Sequence, residues 1–327
     1  MPSSAASLPE RDHARPGPPE GRPPLVVICG ATATGKSALA ISLCESIGGL
    51  EIVSADSRQV YRGMDIGTDK VALGTRLRVP HHCLDLVEPD ESFSVADFVA
   101  AAHDALSGIA ARGRAALLVG GTGLYLRAVA RGLPIAQTGR DDVARRSLEA
   151  RLRDGGLASL IAELRHVAPS TAAATDLANP RRVIRALERV AVHGDSPPPP
   201  AVGYRAPVAW LGLALEPIEH RTRIDARAAR QFSGGLPEEA AGLLRRYRAE
   251  ARAFSAFGYR EAFGILSGEL TREQADAATT ARTWAYARRQ RTWFRAEPGI
   301  TWLDVSRADV NAAAASVVGS FLTMADA

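Results

Sequence analysis

Lysine is almost missing from this chain. Lys36 and Lys70 are the only two among forty basic residues, the rest being arginine. Cysteine is scarce and odd in number, at Cys29, Cys44 and Cys83, with no CxxC pair. That argues against a disulfide frame or a zinc site and for a reducing cytoplasm. No apolar run approaches the ~20 residues that a membrane-spanning helix needs. Residues 1–23 lack the apolar core of a signal peptide; rich in Pro, Ser, Gly and Ala, they are expected to form a disordered tail. Sequence repeats are absent too, apart from one short proline run. With 46% hydrophobic and 23% charged residues in 327, the remainder has the composition of one large or two modest globular domains.

The net charge of +4 is spread unevenly. Ile218 to Glu297 holds fifteen Arg against ten acidic residues, and Arg140 to Asp195 holds ten against eight. Excess positive charge in the second half suits a polyanionic partner. A solvated helical surface accounts for the same counts, so charge alone leaves both readings open.

Hydrophobic patterning gives the architecture. PLVVIC (24–29) reads as a buried strand and Lys36 to Ile47 as a helix. EIVSAD (51–56) reads as a second strand ending at Asp56. Residues 93–113 carry helical spacing with Ser94 as N-cap, and AALLVGG (115–121) is a strand stopped by Gly-Gly. VAWLGLAL (208–215) and ITWLDV (300–305) complete the set. Strands alternating with helices predict an α/β fold, a parallel sheet with helices on both faces, over 24–133 and 204–327. Between them, residues 134–203 are charged, Ala-rich and helix-patterned and end in DSPPPPAVGY, a stiff linker. They are expected to form a small all-helical insertion.

One stretch carries chemistry at first sight. VVICGATATGKSALA contains Gly30-x4-Gly35-Lys36-Ser37 between a strand and a helix, the P-loop arrangement. Its candidate phosphate-binding residues are Gly30, Ala31, Thr32, Ala33, Thr34, Gly35, Lys36 and Ser37. Glycines let successive backbone N–H groups face one anion, and the helix N-terminus adds its dipole. Lys36 supplies a compact cation where the chain otherwise uses Arg, and the Ser37 hydroxyl can ligate Mg²⁺. A phosphate grip does not name a reaction. A nucleotide hydrolase would want an acid at the end of another strand, and AALLVGGTG ends without one. His81-His82 invites a metal reading, but no third ligand stands at suitable spacing, which favours a structural role.

VSADSRQVYRGMDIGTDK (53–70) is more distinctive. With GATATGKS, VPHHCLDLVEPDESFSVADF, LLVGGTGLYLRAV, NPRRVIRALE, FGYRE and RRQRTWFR, it resembles the tRNA dimethylallyltransferases, also called tRNA isopentenyltransferases. The likeness runs in order from about Pro24 to Val305. It implies a P-loop NTPase-like core and attack by an adenine amino group, on the base 3′-adjacent to a tRNA anticodon, on dimethylallyl diphosphate, with diphosphate released. Asp56 matches the family's catalytic aspartate, a general base for a weakly nucleophilic amine, worth roughly 10²–10⁴ in rate. Capping the turn before Ser57, or holding Mg²⁺, are its other readings. Arg223 falls where the family places a substrate-binding arginine. Thr122 aligns with a threonine near the flipped base, and equally with a helix N-cap.

By the same resemblance, Asp56, Ser57, Arg58 and Gln59 form a tRNA-contacting segment, with Ser57 and Gln59 suited to base edges. Arg181, Arg182 and Arg185 are candidates for anticodon-arm phosphates, Arg181 and Arg185 sharing a helix face. Arg288, Arg289, Arg291 and Arg295 could line the core side of the same channel. Trp293 and Phe294 read as core packing. The chain departs from the family pattern at Ala31, where Pro is usual, at Asp195 in place of a cation, and at Trp284-Ala285 in place of Arg-Gln. The expectation is a monomeric cytoplasmic enzyme using Mg²⁺ and dimethylallyl diphosphate on tRNA. The alternatives are an adenylate isopentenyltransferase acting on free AMP, ADP or ATP, a P-loop small-molecule kinase, and a non-enzymatic RNA-binding protein. The insertion and the basic second half favour tRNA over a free nucleotide.

Overall fold

The structure, a computed structural model, describes residues 21–135, 142–196 and 199–325. The expected tail lies outside these residues as far as residue 20. Beyond that the chain is tied down: the Arg22 guanidinium donates to the His103 carbonyl at 3.1 Å, and the Tyr204 hydroxyl to the Pro23 carbonyl at 3.1 Å.

Strand β1 (Leu25–Gly30) is buried along its whole length and leads through the glycine loop into helix α1 (Lys36–Ile47). Strand β2 (Leu50–Ser54) stops short of the expected Asp56. The Asp56 carboxylate accepts the Arg58 N–H at 2.8 Å, and this side-chain-closed turn ends the strand. Helix α2 (Leu73–Arg78) precedes β3 (His81–His82), a strand the sequence did not suggest, since two residues show no alternation. Helix α3 (Val95–Ala111) begins as expected at Ser94, in a reciprocal capping box with Asp97. Then come β4 (Ala115–Gly120) and α4 (Gly123–Ala130). Next are α5 (Asp142–Val167), α6 (Pro169–Ala174), α7 (Pro180–His193) and β5 (Val208–Ala214). Helices α8 (Pro217–Ser233), α9 (Leu236–Leu244), α10 (Tyr259–Leu266) and α11 (Arg272–Arg295) follow. Strand β6 (Thr301–Asp304) and α12 (Val310–Ala325) close the order.

The six strands form one parallel sheet in the order β3-β2-β4-β1-β5-β6. Successive strand residues point to opposite faces, and both faces are buried. Leu25, Val27 and Cys29 face a cluster built on Phe98, Leu106 and Leu126 of α3 and α4. Val26 and Ile28 face Leu39 and Leu43 of α1 and Val318 of α12. That is why these strands read as unbroken apolar runs. Phe294 closes the first cluster with Trp293 against it, the packing role expected of both.

β4 lies between β1 and β2, so the loops following all three gather at one edge of the sheet, where ligands bind in open α/β folds. A third cluster, of Phe232, Phe254 and Tyr259 on Val60 and Met64, fastens the late helices to the segment after β2. A smaller one joins Ala31 of the glycine loop to Ile224 of α8 and Ala287 of α11, with Trp284 alongside. Trp284, one of the family departures, meets the His220 ring edge-on at 5.5 Å, so this position packs behind the glycine loop.

Helices α5 to α7 bury Leu160, Leu164, Ile184 and Leu187 in a core of their own. α5 is broken at Gly156, whose φ of 72° lies in the left-handed region open to glycine. Asp195 accepts the N–H groups of Ser170 and Thr171 at 2.9 and 2.8 Å. An anion there complements the α6 N-terminus, which gives the acid a structural use where the family pattern suggested a cation.

Candidate active site

The glycine loop leaves helix α1 without a side-chain cap. Gly35 is the N-cap residue with φ 89°, so the first-turn N–H groups stay available to an anion. Gly30 is required by close approach: a methyl group there would lie 2.9 Å from the Leu213 carbonyl oxygen. Ala33 adopts φ 63° without being glycine, a local strain within the loop. The Lys36 ammonium donates to the Ala31 carbonyl at 2.7 Å, and the Thr34 hydroxyl donates to the same oxygen at 2.9 Å. Burial pulls the Lys36 pKa down to about 8, the charge of Asp56 opposing that shift and Arg227 adding to it.

Thr32 is held from outside the loop. Its N–H donates to Gln290 Oε1 at 2.9 Å, its carbonyl meets His220 Nε2 at 2.8 Å, and its hydroxyl accepts from Arg227 at 2.9 Å. The Thr32 amide is therefore engaged by protein, while the others assigned from sequence surround the start of α1. His220 is fully buried and its pKa is lowered, chiefly by burial. Arg223 reaches over the loop from α8: a methyl group on Gly35 would come within 3.9 Å of its guanidinium, which Glu219 steadies at 2.7 Å.

Asp56 stands beside this loop, two residues past β2. One carboxylate oxygen closes the turn to Arg58, and among the described residues the other accepts no hydrogen bond. The Ser57 N–H donates to the Thr122 hydroxyl at 3.2 Å, joining the loops after β2 and β4. Thr122 occupies the N-cap position of α4 but its hydroxyl does not cap the helix. Two cavities open here. One, of about 230 Å³, runs past Gly35, Lys36 and Ser37 to Gln59. The other, of about 240 Å³, runs past Ser57 and Arg58 to Ile224, Ala228 and Phe257. Asp56, Thr32, Thr68, Arg227 and Tyr286 border both.

Gln59 turns inward. Its amide donates to the Thr68 carbonyl at 3.1 Å and accepts from Ser54 at 2.9 Å, so its polar atoms hold the loop at the cavity border. Arg181, Arg182 and Arg185 lie exposed on α7, far in sequence from these cavities. Arg182 pairs with Asp176 and Arg185 with Glu188, both at 3.2 Å. Arg289 is exposed on α11, its guanidinium 5.8 Å from the Tyr286 ring centre at the cavity border. His82 pairs with the buried Glu51 at 2.6 Å, beside Arg112, and so serves the structure. Among the described residues no group of three His, Cys, Asp or Glu side chains could hold a metal ion. No helix among them is long and apolar enough to cross a membrane.

A family model described as IPP transferase matches residues 59–297 of the chain. The chain belongs to this family, that of the tRNA dimethylallyltransferases. It is 41% identical over 308 residues to the tRNA dimethylallyltransferase of Roseiflexus sp. (strain RS-1), covering 91% of this chain and 99% of the relative. It is 43% identical over 282 residues to that of Thermus thermophilus, covering 84% and 90%. Among solved structures it is similar to the full-length tRNA isopentenylpyrophosphate transferase from Bacillus halodurans. There the TM-score is 0.68 at 37% identity, with 92% of this chain and 97% of the other covered. It is also similar to a eukaryotic dimethylallyltransferase captured acting on tRNA, with TM-score 0.77 and 25% identity over 92% of this chain and 80% of the other.

Three residues at this transferase's site were not singled out from sequence: Arg227, His220 and Gln290. Arg227 is four residues after Arg223 in RTRIDAR, the spacing that puts two side chains on one helix face. Gln290 is the one uncharged residue in RRQR, and a polar amide within a basic run was the available signal.

Proposed function

We propose that the chain carries out its family's transfer of a dimethylallyl group to tRNA, at N6 of the adenine 3′-adjacent to the anticodon, with Asp56 as general base. The observation that carries this reading is Asp56 on the border of two cavities. One leads to the P-loop lysine, and the other to a mixed polar and apolar chamber able to admit a base. The N6 lone pair attacks C1 of dimethylallyl diphosphate, and the C1–O bond breaks with its electron pair leaving on diphosphate. The N6 proton passes to the Asp56 carboxylate oxygen that accepts no hydrogen bond among the described residues.

The amides at the start of α1, Lys36, Arg223 and Arg227 stabilise the charge gathering on the departing diphosphate. Ser57 and Arg58 border the chamber for the flipped base, Thr122 holds the Ser57 amide beside it, and Arg181, Arg182, Arg185 and Arg289 meet the anticodon arm. The exposed Ser37 hydroxyl at the first turn of α1 fits a Mg²⁺ ion held mostly by diphosphate oxygens and water, the usual manner for this ion. Bound there, the ion would neutralise diphosphate charge.

The test is incubation with labelled dimethylallyl diphosphate and either unmodified tRNA or AMP. Label is expected on tRNA, lost when the target adenine is replaced by guanine. Label on AMP alone overturns the reading.

A further inference from the structure

The diphosphate loop follows β1 and the proposed base follows β2, and these strands are not neighbours. β4 separates them, so their axes are roughly 10 Å apart, two inter-strand spacings. The distance between leaving group and base thus depends on what fills the gap above β4. That gap holds the Gly121 turn, and the Gln290 side chain packs upon it.

Gln290 is 6% exposed. Its Oε1 accepts the Thr32 N–H at 2.9 Å and its Nε2 donates to the Gly121 carbonyl at 2.7 Å. One amide therefore ties the P-loop to the turn carrying Thr122. Thr122 in turn accepts the N–H of Ser57, next to Asp56. The contact leaves no slack, since a methyl group on Gly121 would lie 2.3 Å from Gln290 Nε2. The bridge needs a donor and an acceptor at the end of one side chain of this length. Ionised glutamate lacks the donor, methionine lacks the donor and has only a weakly accepting sulfur, and asparagine is a methylene short.

We infer that Gln290 is a positioning residue that fixes the separation between the diphosphate cradle and the base-side loops, and so the approach of N6 to C1. It borders the P-loop cavity, but both ends of its amide are taken up by protein groups, so it acts through the loops it joins. The inference rests on the proposed reading of Asp56 and the P-loop. A misplacement of about 1 Å between reacting groups costs on the order of 100-fold in rate, so the effect falls on kcat and not on the binding of either substrate.

The experiment measures kcat and both KM values for Gln290→Met and Gln290→Glu across pH. At about pH 8 both are expected to lose roughly 10- to 100-fold in kcat, with each KM within about threefold of the parent. The carboxyl introduced by Gln290→Glu, when protonated, offers one donor and one acceptor as the amide did, and burial favours that neutral form. Its kcat relative to the parent at equal pH should therefore rise as pH falls from about 8 to about 6, while that of Gln290→Met stays flat. A Gln290→Met kcat within about threefold of the parent, a loss confined to KM, or a flat Gln290→Glu ratio overturns the inference. Should Gln290→Met fail to fold, the Gln290→Glu pH ratio decides alone. Asp56→Asn, run alongside, separates the two readings. An undiminished Asp56→Asn removes the base assignment; undiminished Gln290 variants beside an inactive Asp56→Asn remove only the bridge.

Discussion

Asp56 at the sheet edge and Asp195 at the end of the α5–α7 region both accept backbone N–H groups near the start of a turn or helix. Asp195 uses both of its oxygens, on Ser170 and Thr171, and so completes a local structure. Asp56 uses one, on Arg58, and presents the other to two cavities. The arginines differ in the same way. Arg227 is held against Thr32 of the glycine loop, whereas Arg182 and Arg185 lie in surface pairs on α7. Surface pairs of that kind are weak, so a phosphate can replace the carboxylate at little cost. The sheet edge is arranged around fixed geometry, and the helical region presents exchangeable charge.

The largest test of this contrast is Asp56→Asn, which preserves an acceptor for the Arg58 N–H but cannot take a proton. A fall in kcat of roughly 10²–10⁴ is expected with tRNA affinity retained, measured by single-turnover transfer and filter binding. Next, replacing Arg181, Arg182 and Arg185 together by Ala should raise KM for tRNA roughly tenfold at low salt. The slope of log affinity against log salt should fall by about 2, while KM for dimethylallyl diphosphate is unchanged. If that KM moves instead, the two regions are not separable.

A third test uses pH. Because burial lowers the Lys36 pKa from 10.5 to about 8, the ammonium loses its proton as pH rises through about 8. Diphosphate affinity should fall over that range, and Lys36→Met should lack the step. The sign for stability is opposite: the unfolded chain holds the proton up to 10.5, so the unliganded fold gains stability as pH rises between these values. Thermal melts against pH will show it. The smallest effect is expected for Asp195→Asn, which should speed amide exchange at Ser170 and Thr171 and leave kcat for transfer untouched.

What could be read from the sequence follows the range of the interactions. The glycine loop and the Ser94 N-cap are local, their determinants lying within a few residues, and the sheet showed in apolar runs buried on both faces. β3 was invisible because two histidines make no pattern, and β2 ended early because one carboxylate bent the chain. Gln290, His220 and Arg227 could not be placed, since their partner Thr32 lies 258, 188 and 195 residues away. Gln59 shows the complementary limit: its motif was recognisable, but spacing could not say that its amide faces the protein.

The uncapped start of α1 has a consequence for turnover. On the proposed reading, the first-turn amides that hold the donor also hold the spent diphosphate. Breaking the C1–O bond releases the prenyl end and leaves the gripped end in place. The product should therefore compete with fresh donor, and the pace of repeated cycles will be set by how readily this helix gives up its borrowed cap.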